Sequence, residues 1–199
     1  MSIQYGFSLD IDRCVQCHSC EVACKSINGI ELGPRWRQVI DFWIGEYPAV
    51  TNHSVSISCH HCALPSCADA CPVQAITKRE ADGIVVVDPE TCTGCRTCED
   101  ACPYGAPQFG ENGVMQKCNL CITRTSQGLQ PSCVATCPGE ALKFGTVEEL
   151  TAQVGGKELH QLQGANGPSF FYTTTDPRLD PGVLSAILEK IRHTTAVLH

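Results

Sequence analysis

Cys92-Thr-Gly-Cys95-Arg-Thr-Cys98-Glu-Asp-Ala-Cys102-Pro103 is the stretch that decides the fold of this protein. Three cysteines stand at two-residue gaps, a fourth follows three residues later, and a proline closes the run. This spacing places thiolates around a cubane iron–sulfur cluster, with the fourth cysteine reaching a different cluster from the first three. Four cysteines and a proline must fall in register together, so the signal is specific.

Variants of the run recur along the sequence. The first is Cys14-Val-Gln-Cys17-His-Ser-Cys20-Glu-Val-Ala-Cys24, and the second is Cys59-His-His-Cys62-Ala-Leu-Pro-Ser-Cys67-Ala-Asp-Ala-Cys71-Pro72. After Cys92 to Cys102 comes a stretched fourth, Cys118-Asn-Leu-Cys121 and then Cys133-Val-Ala-Thr-Cys137-Pro138. The 199 residues include 16 cysteines, 17 glycines and 12 prolines, with only 18% charged, so the hydrocarbon core is thin and something besides burial must hold the chain together.

Disulfides and zinc are the rivals to iron–sulfur clusters. The start, Met1-Ser-Ile-Gln-Tyr-Gly-Phe-Ser, shows no basic region and no apolar core, so no export signal is read there. Cysteines clustered in C-x-x-C arrays suit a metal centre better than scattered cross-links. Zinc also uses C-x-x-C pairs but needs no trailing proline. The net charge is −7, from 14 basic and 21 acidic residues, with no Lys/Arg run to track a phosphate backbone, which argues against nucleic acid as a partner. No apolar stretch of about 18 residues is present, so no membrane crossing is expected of this chain.

Between the runs, Gln4 to Leu9 reads as a strand. The insertion 25–58 carries a β-rich segment from Trp36 to Ile44, read as a strand or hairpin, and Trp36 and Trp43 are read as covers for a small core. Ile76 to Val87 reads as strand–turn–strand around Ala81-Asp82-Gly83. Thr146-Val-Glu-Glu149 is a capping box opening a helix that Gly155-Gly156 should end. Residues 156–178 lack clear periodicity. Asp180-Pro181 then starts a second helix whose apolar face (Val183, Leu184, Ile187, Leu188, Ile191) must pack on the cluster-bearing body or on a partner.

Sixteen cysteines in four runs supply four ligands for each of four 4Fe–4S clusters, with none left over. Irons ligated in this way leave no open position, so the chain reads as an electron conduit and not as a catalyst. In two-cluster ferredoxins each run lends its last cysteine to the other cluster. The second and third runs make a natural pair by this logic, enclosed by the first and fourth. A first/second and third/fourth pairing is also sterically open.

Several stretches between and around the runs carry a resemblance. They are Gln4-Tyr-Gly-Phe with Asp12-Arg-Cys14, Ser56-Ile-Ser-Cys59-His-His-Cys62, Lys78-Arg-Glu with Gly83-Ile-Val-Val-Val-Asp88, Cys102-Pro-Tyr-Gly-Ala-Pro-Gln108, and Ala141-Leu-Lys-Phe-Gly145. Over roughly residues 4 to 150 the chain resembles the iron–sulfur subunits of bacterial dimethyl sulfoxide reductases, and more broadly the four-cluster subunits of molybdopterin oxidoreductases. The resemblance implies an α+β fold of two nested bacterial-ferredoxin-like units, each holding two 4Fe–4S clusters, with an inserted hairpin and a C-terminal helical extension. Residues 1–24 with 103–150 would form the outer unit, 25–58 the insertion, 59–102 the inner unit and 151–199 a partner-contacting extension.

The ligand sets implied are Cys14, Cys17, Cys20 and Cys137 for the first cluster, and Cys24, Cys118, Cys121 and Cys133 for the second. Cys59, Cys62, Cys67 and Cys102 would hold the third, and Cys71, Cys92, Cys95 and Cys98 the fourth. By the same resemblance, the outer pair faces a molybdopterin-containing catalytic subunit and the inner pair a quinol-oxidising membrane anchor. Some relatives carry tryptophan at the Cys95 position, which leaves a three-iron cluster; cysteine here implies four irons. The chain is then non-catalytic. It is peripheral to the cytoplasmic membrane through its partners, or exported with the catalytic subunit, with a cytoplasmic location as the alternative. Formate dehydrogenases, thiosulfate, polysulfide or tetrathionate reductases and tungsten aldehyde oxidoreductases are alternative complexes, and a structural zinc adaptor is the alternative from another class. His60 and His61 read as hydrogen-bond donors to a cluster, not ligands. Lys78, Arg79 and Lys117 read as charges that tune potentials or sit on the surface.

Overall fold

The computed structural model describes residues 3–152 and 157–195. In order along the sequence the strands are β1 (Tyr5–Asp10), β2 (Arg37–Ile44), β3 (Thr51–Ser58), β4 (Ile76–Lys78), β5 (Val85–Val87), β6 (Gln108–Phe109), β7 (Met115–Gln116), β8 (Leu142–Thr146), β9 (Leu159–Gln161) and β10 (Phe170–Thr173). The helices are α1 (Ser19–Asn28), α2 (Ser66–Asp69), α3 (Thr97–Ala101), α4 (Ile122–Thr125), α5 (Ser132–Ala135), α6 (Val147–Ala152) and α7 (Pro181–Thr195). The fold is mixed α and β.

One four-stranded sheet runs in the order β8-β1-β10-β9. β1 pairs antiparallel with β8 (Phe7 opposite Phe144) and parallel with β10 (Phe7 opposite Phe170). Gly6 permits that second contact, because a Cβ there would collide with the Ser169 carbonyl. Three hairpins, β2–β3, β4–β5 and β6–β7, complete the sheet structure among the described residues.

The strand from Gln4, the β4–β5 hairpin and the β-rich insertion form as the sequence indicates. The insertion is a full hairpin: β2 and β3 pair from Arg37 opposite Ser58 to Ile44 opposite Thr51, so β3 delivers the chain directly to Cys59. The capping box also forms. The Thr146 amide donates to Glu149 Oε2 (2.8 Å) and the Glu149 amide to Thr146 Oγ1 (3.1 Å). The glycines read as the end of that helix include Gly155 and Gly156, which lie outside the described residues.

The aperiodic stretch 156–178 is where the structure departs most from expectation. It holds β9 and β10, and the sheet therefore crosses the boundary drawn at residue 150. Phe170, Phe171 and Tyr172 are all buried, because β10 lies between two strands and is covered on both sides. Such a strand reads as a continuous apolar run with no alternation to detect. Asp180 Oδ1 caps α7 by accepting from the Val183 amide (2.9 Å). Leu184 and Leu188 join the core that contains Phe7, Cys59 and Cys118, with Val183 and Ile187 packed against it. Those four residues are thus covered by the chain itself, each fully buried leucine contributing about 1.5–3 kcal/mol; the Ile191 side chain lies outside the described residues. Trp36 is tied in through its Nε1, which donates to Gln116 Oε1 (2.8 Å). Trp43 corrects the reading of both tryptophans as covers: it is 72% exposed, near the hairpin's far end.

Candidate metal centres

The last two cysteines of each run are four residues apart, one helical turn, so they share a side of a helix but lie at different heights along it. Cys20 and Cys24 sit on α1, while Cys98 sits on α3 and Cys102 directly follows it as the capping residue. In space α1 packs on α5, and α2 on α3. All sixteen cysteines are free thiols.

Three cavities are each lined by four cysteines. Cys14, Cys17, Cys20 and Cys137 line one with an empty volume of about 360 Å³. Cys59, Cys62, Cys67 and Cys102 line a second of about 340 Å³, and Cys71, Cys92, Cys95 and Cys98 a third of about 290 Å³. The same four-cysteine donor set in each points to one kind of occupant. The remaining four cysteines also gather, with Cys24 facing Cys118, Cys133 and Cys121. Among the described residues no three His, Cys, Asp or Glu side chains converge on a single-ion site. Thiolates spread around a cavity suit a multi-iron core better than one zinc ion, which needs its sulfurs within about 2.3 Å of a single point.

The backbone shapes each site in a way the cysteine spacing does not reveal. The residue before the second cysteine of every run has a left-handed conformation: Gln16 (φ 57°), His61 (φ 43°), Gly94 (φ 70°) and Leu120 (φ 55°). Alternation of left- and right-handed residues turns successive amides inward into a concavity that favours an anion. Only Gly94 adopts this without steric cost, and a Cβ there would also stand 2.5 Å from the Gly113 carbonyl. A second repeat follows each Cys-Pro. Gln74, Gly105 and Glu140 are again left-handed, and their amides donate back to the Cys71, Cys102 and Cys137 carbonyls.

Electrostatics fit the same occupant. Burial pushes the thiols of Cys24, Cys62, Cys67 and Cys118 up to about 12. Such groups become thiolates only when a cationic core is bound, so assembly of the centres releases protons. In the Cys59 cavity His60 Nε2 and Tyr104 Oη are buried without partners among the described residues. Both can donate a hydrogen bond to the sulfurs of a thiolate-ligated, anionic cluster. His60 is held neutral, its pKa lowered to about 3 by burial and by the Arg37 charge. His61 uses Nδ1 to accept from the Val85 amide (3.0 Å), which leaves the proton on Nε2.

A family model described as a 4Fe-4S dicluster domain matches residues 50–147, and one described as a 4Fe-4S binding domain matches residues 11–28. YnfG of Escherichia coli K12, named as part of a probable anaerobic dimethyl sulfoxide reductase, is 45% identical over 166 residues, covering 78% of this chain and 80% of that one. The B subunit of the anaerobic dimethyl sulfoxide reductase of the same strain is 43% identical over 164 residues, again covering 78% and 80%. This protein belongs to the family of dimethyl sulfoxide reductase iron–sulfur subunits. The thiosulfate reductase electron transfer subunit PhsB of Salmonella typhi is 40% identical over 168 residues, 81% of this chain and 87% of that one. The stretches that carry the resemblance in sequence therefore identify the family correctly.

In this iron–sulfur subunit, Cys17 and Cys95 are the two exposed cysteines, one in each of two different cavities. The cations read from sequence separate into three environments. Arg79 is a surface residue paired with Asp82 at 3.0 Å. Lys78 Nζ donates to the Cys62 and Ala63 carbonyls (3.0 and 3.1 Å) beside the Cys59 cavity. Lys117 is buried, donating to the Val85 carbonyl and to that of Cys118. A fourth cation, Arg37, is missed by motif reading. It is 2% exposed and stands in phase with buried Val39 on β2. A charged residue on the inward phase of a strand was the available signal.

Proposed function

We propose that this protein carries four 4Fe–4S clusters as the electron-transfer subunit between a quinol-side membrane subunit and a molybdopterin-containing catalytic subunit of a dimethyl sulfoxide reductase-like complex. The ligand sets proposed are Cys14/Cys17/Cys20/Cys137, Cys24/Cys118/Cys121/Cys133, Cys59/Cys62/Cys67/Cys102 and Cys71/Cys92/Cys95/Cys98. The observation that carries this reading is the gathering of cysteines in fours, three of the groups around cavities of similar size. The packing of α1 on α5 and of α2 on α3 favours the nested pairing over the sequential one.

Bound clusters would supply one-electron storage. The protein's part is to supply thiolates, inward amides and buried cations, and to bring one cysteine of each of two sets to the surface. The catalytic step is assigned to the partner, in keeping with the likeness to an electron transfer subunit. Among the described residues no helix is long and apolar enough to cross a membrane. Attachment at the cytoplasmic membrane is therefore proposed to run through partner subunits, and fractionation of cells with and without the membrane subunit tests it.

Iron and acid-labile sulfide assay of anaerobically purified protein tests the cluster count. About sixteen irons per chain are expected, and about four would defeat the reading. The likeness to PhsB supports one second reading, a thiosulfate reductase complex. The identity of the co-purifying large subunit decides between the two.

A further inference from the structure

Arg37 is buried and makes no ion pair with a carboxylate among the described residues. Its Nη1 donates to the Ser56 carbonyl (3.2 Å) and to Ser56 Oγ (3.0 Å), and its Nη2 donates to Ser58 Oγ (3.0 Å). The guanidinium lies 4.3 Å from the centroid of the Phe7 ring. Every one of these partners is neutral. A guanidinium cannot shed its proton in a protein, and an uncompensated charge in the interior is among the most expensive things a fold can hold. Its burial therefore requires an anion, and the groups facing it are the sulfurs of Cys133, Cys118, Cys20 and Cys24. Cys20 belongs to one proposed ligand set and the other three to the next. Four thiolates around a cubane make a dianion when oxidised and a trianion when reduced, which is the missing counter-charge.

A second contact gives Arg37 a handle on the first set. Ser56 Oγ lies 3.3 Å from Cys20 Sγ. The guanidinium only donates, so Ser56 Oγ accepts from it and keeps its own hydrogen for the sulfur. A cluster-bound thiolate only accepts, which fixes the direction. Hydrogen bonds to cluster sulfurs are among the factors that set reduction potentials.

We propose that Arg37 is a positioning residue shared by the two outer centres: its permanent charge and the Ser56 hydroxyl it orients make both accept an electron more readily than a neutral side chain would. The hairpin β2–β3, inserted between the first two cysteine runs, is then the device that delivers this cation, since Arg37, Ser56 and Ser58 all lie on it. The step concerned is one-electron reduction by an external donor. No bond forms or breaks, and Arg37 keeps its proton.

This inference rests on the four ligand sets proposed above, and the experiment keeps the two apart. Anaerobically purified complex is titrated with dithionite and followed by EPR, with iron counted in every sample. A low iron count in the wild type defeats the ligand reading. With full iron, Arg37→Met is expected to lower two of the four midpoint potentials by about 59 mV or more, the one-electron equivalent of a tenfold change in the reduction equilibrium, and to leave the other two in place. Arg37→Lys is expected to recover more than half of that shift, and Ser56→Ala to lower only one of the same two potentials. Unchanged potentials in fully loaded Arg37→Met, or all four moving together, would overturn the inference. Should Arg37→Met fail to hold iron, Ser56→Ala decides, with a single lowered potential in support and none against.

Discussion

Cys95 is exposed, and its Sγ lies 3.4 Å from the Thr97 hydroxyl. That contact and neighbouring amides hold its pKa below the ordinary thiol value, the reverse of the buried cysteines. A ligand at the rim of its cavity, backed by little packing, is the one whose loss the site should best survive. Cys95→Ser is expected to yield a three-iron cluster of raised potential, with the other three clusters retained. Iron content and the reduced-state EPR spectrum check this, and an unchanged spectrum would place Cys95 outside the ligand set. The left-handed residues at 16, 61 and 120 carry a different lesson. Glycine marks such a conformation in sequence only at Gly94. At the other three positions a Gln, a His and a Leu accept the strain, of about 1–2 kcal/mol each, and nothing about those residue types announces it.

At the scale of elements, the helices of the cysteine runs are single turns apart from α1, too short to persist alone. They are therefore expected to depend on what the cysteines bind. α6 is different, since it carries its own start signal. Thr146→Ala removes the hydrogen bond that Thr146 Oγ1 accepts in the capping box and is expected to cost about 1 kcal/mol, read as an earlier midpoint in denaturant with an unchanged slope and unchanged visible absorbance. β10 shows the converse. Its Phe-Phe-Tyr run has no alternating pattern, and it becomes a strand because β1 on one side and β9 on the other complete its ladder.

Across the whole molecule, the segment after β8 is bound to the cysteine-bearing body by charges as well as by β10. Lys157 bridges Asp10 (2.7 Å) and Asp12 (3.0 Å), and the Thr175 amide donates to Asp12 (2.7 Å). Asp176 pairs with Arg178 (2.6 Å) and His53 (3.0 Å), while Arg178 Nη1 reaches the Ala49 carbonyl (2.9 Å), which fastens the hairpin tip to the loop before α7. The hydrogen bond from Arg178 leads in holding the Asp176 carboxyl below its ordinary value of 3.8. A folded-state value lower than the unfolded one stabilises above the unfolded pKa, and that contribution fades as pH falls towards the folded one. Asp176→Asn is thus expected to melt a few degrees below the wild type at neutral pH. The gap should stay constant down to about pH 5 and close at lower pH. Melting curves of the two proteins across that range provide the measurement.

The cysteine runs and the stretches around them determined by themselves the kind of metal centre, the family and the positions of the flanking strands, because ligand spacing, capping and turn chemistry act over a few residues and are written in local order. The gathering of Cys137 with the first run, of Cys102 with the second, and of Cys24 with Cys118, Cys121 and Cys133 depends on contacts between distant segments, for which spacing alone left two pairings open. Only the tertiary structure turned Trp43 outward, placed β10 inside the sheet and packed α7 on the chain's own core. It alone buried Arg37. In sequence that residue is an arginine at the start of a strand; what makes it unusual is that no carboxylate among the described residues pairs with it and that cysteines from two separate runs surround it, and both are properties of packing.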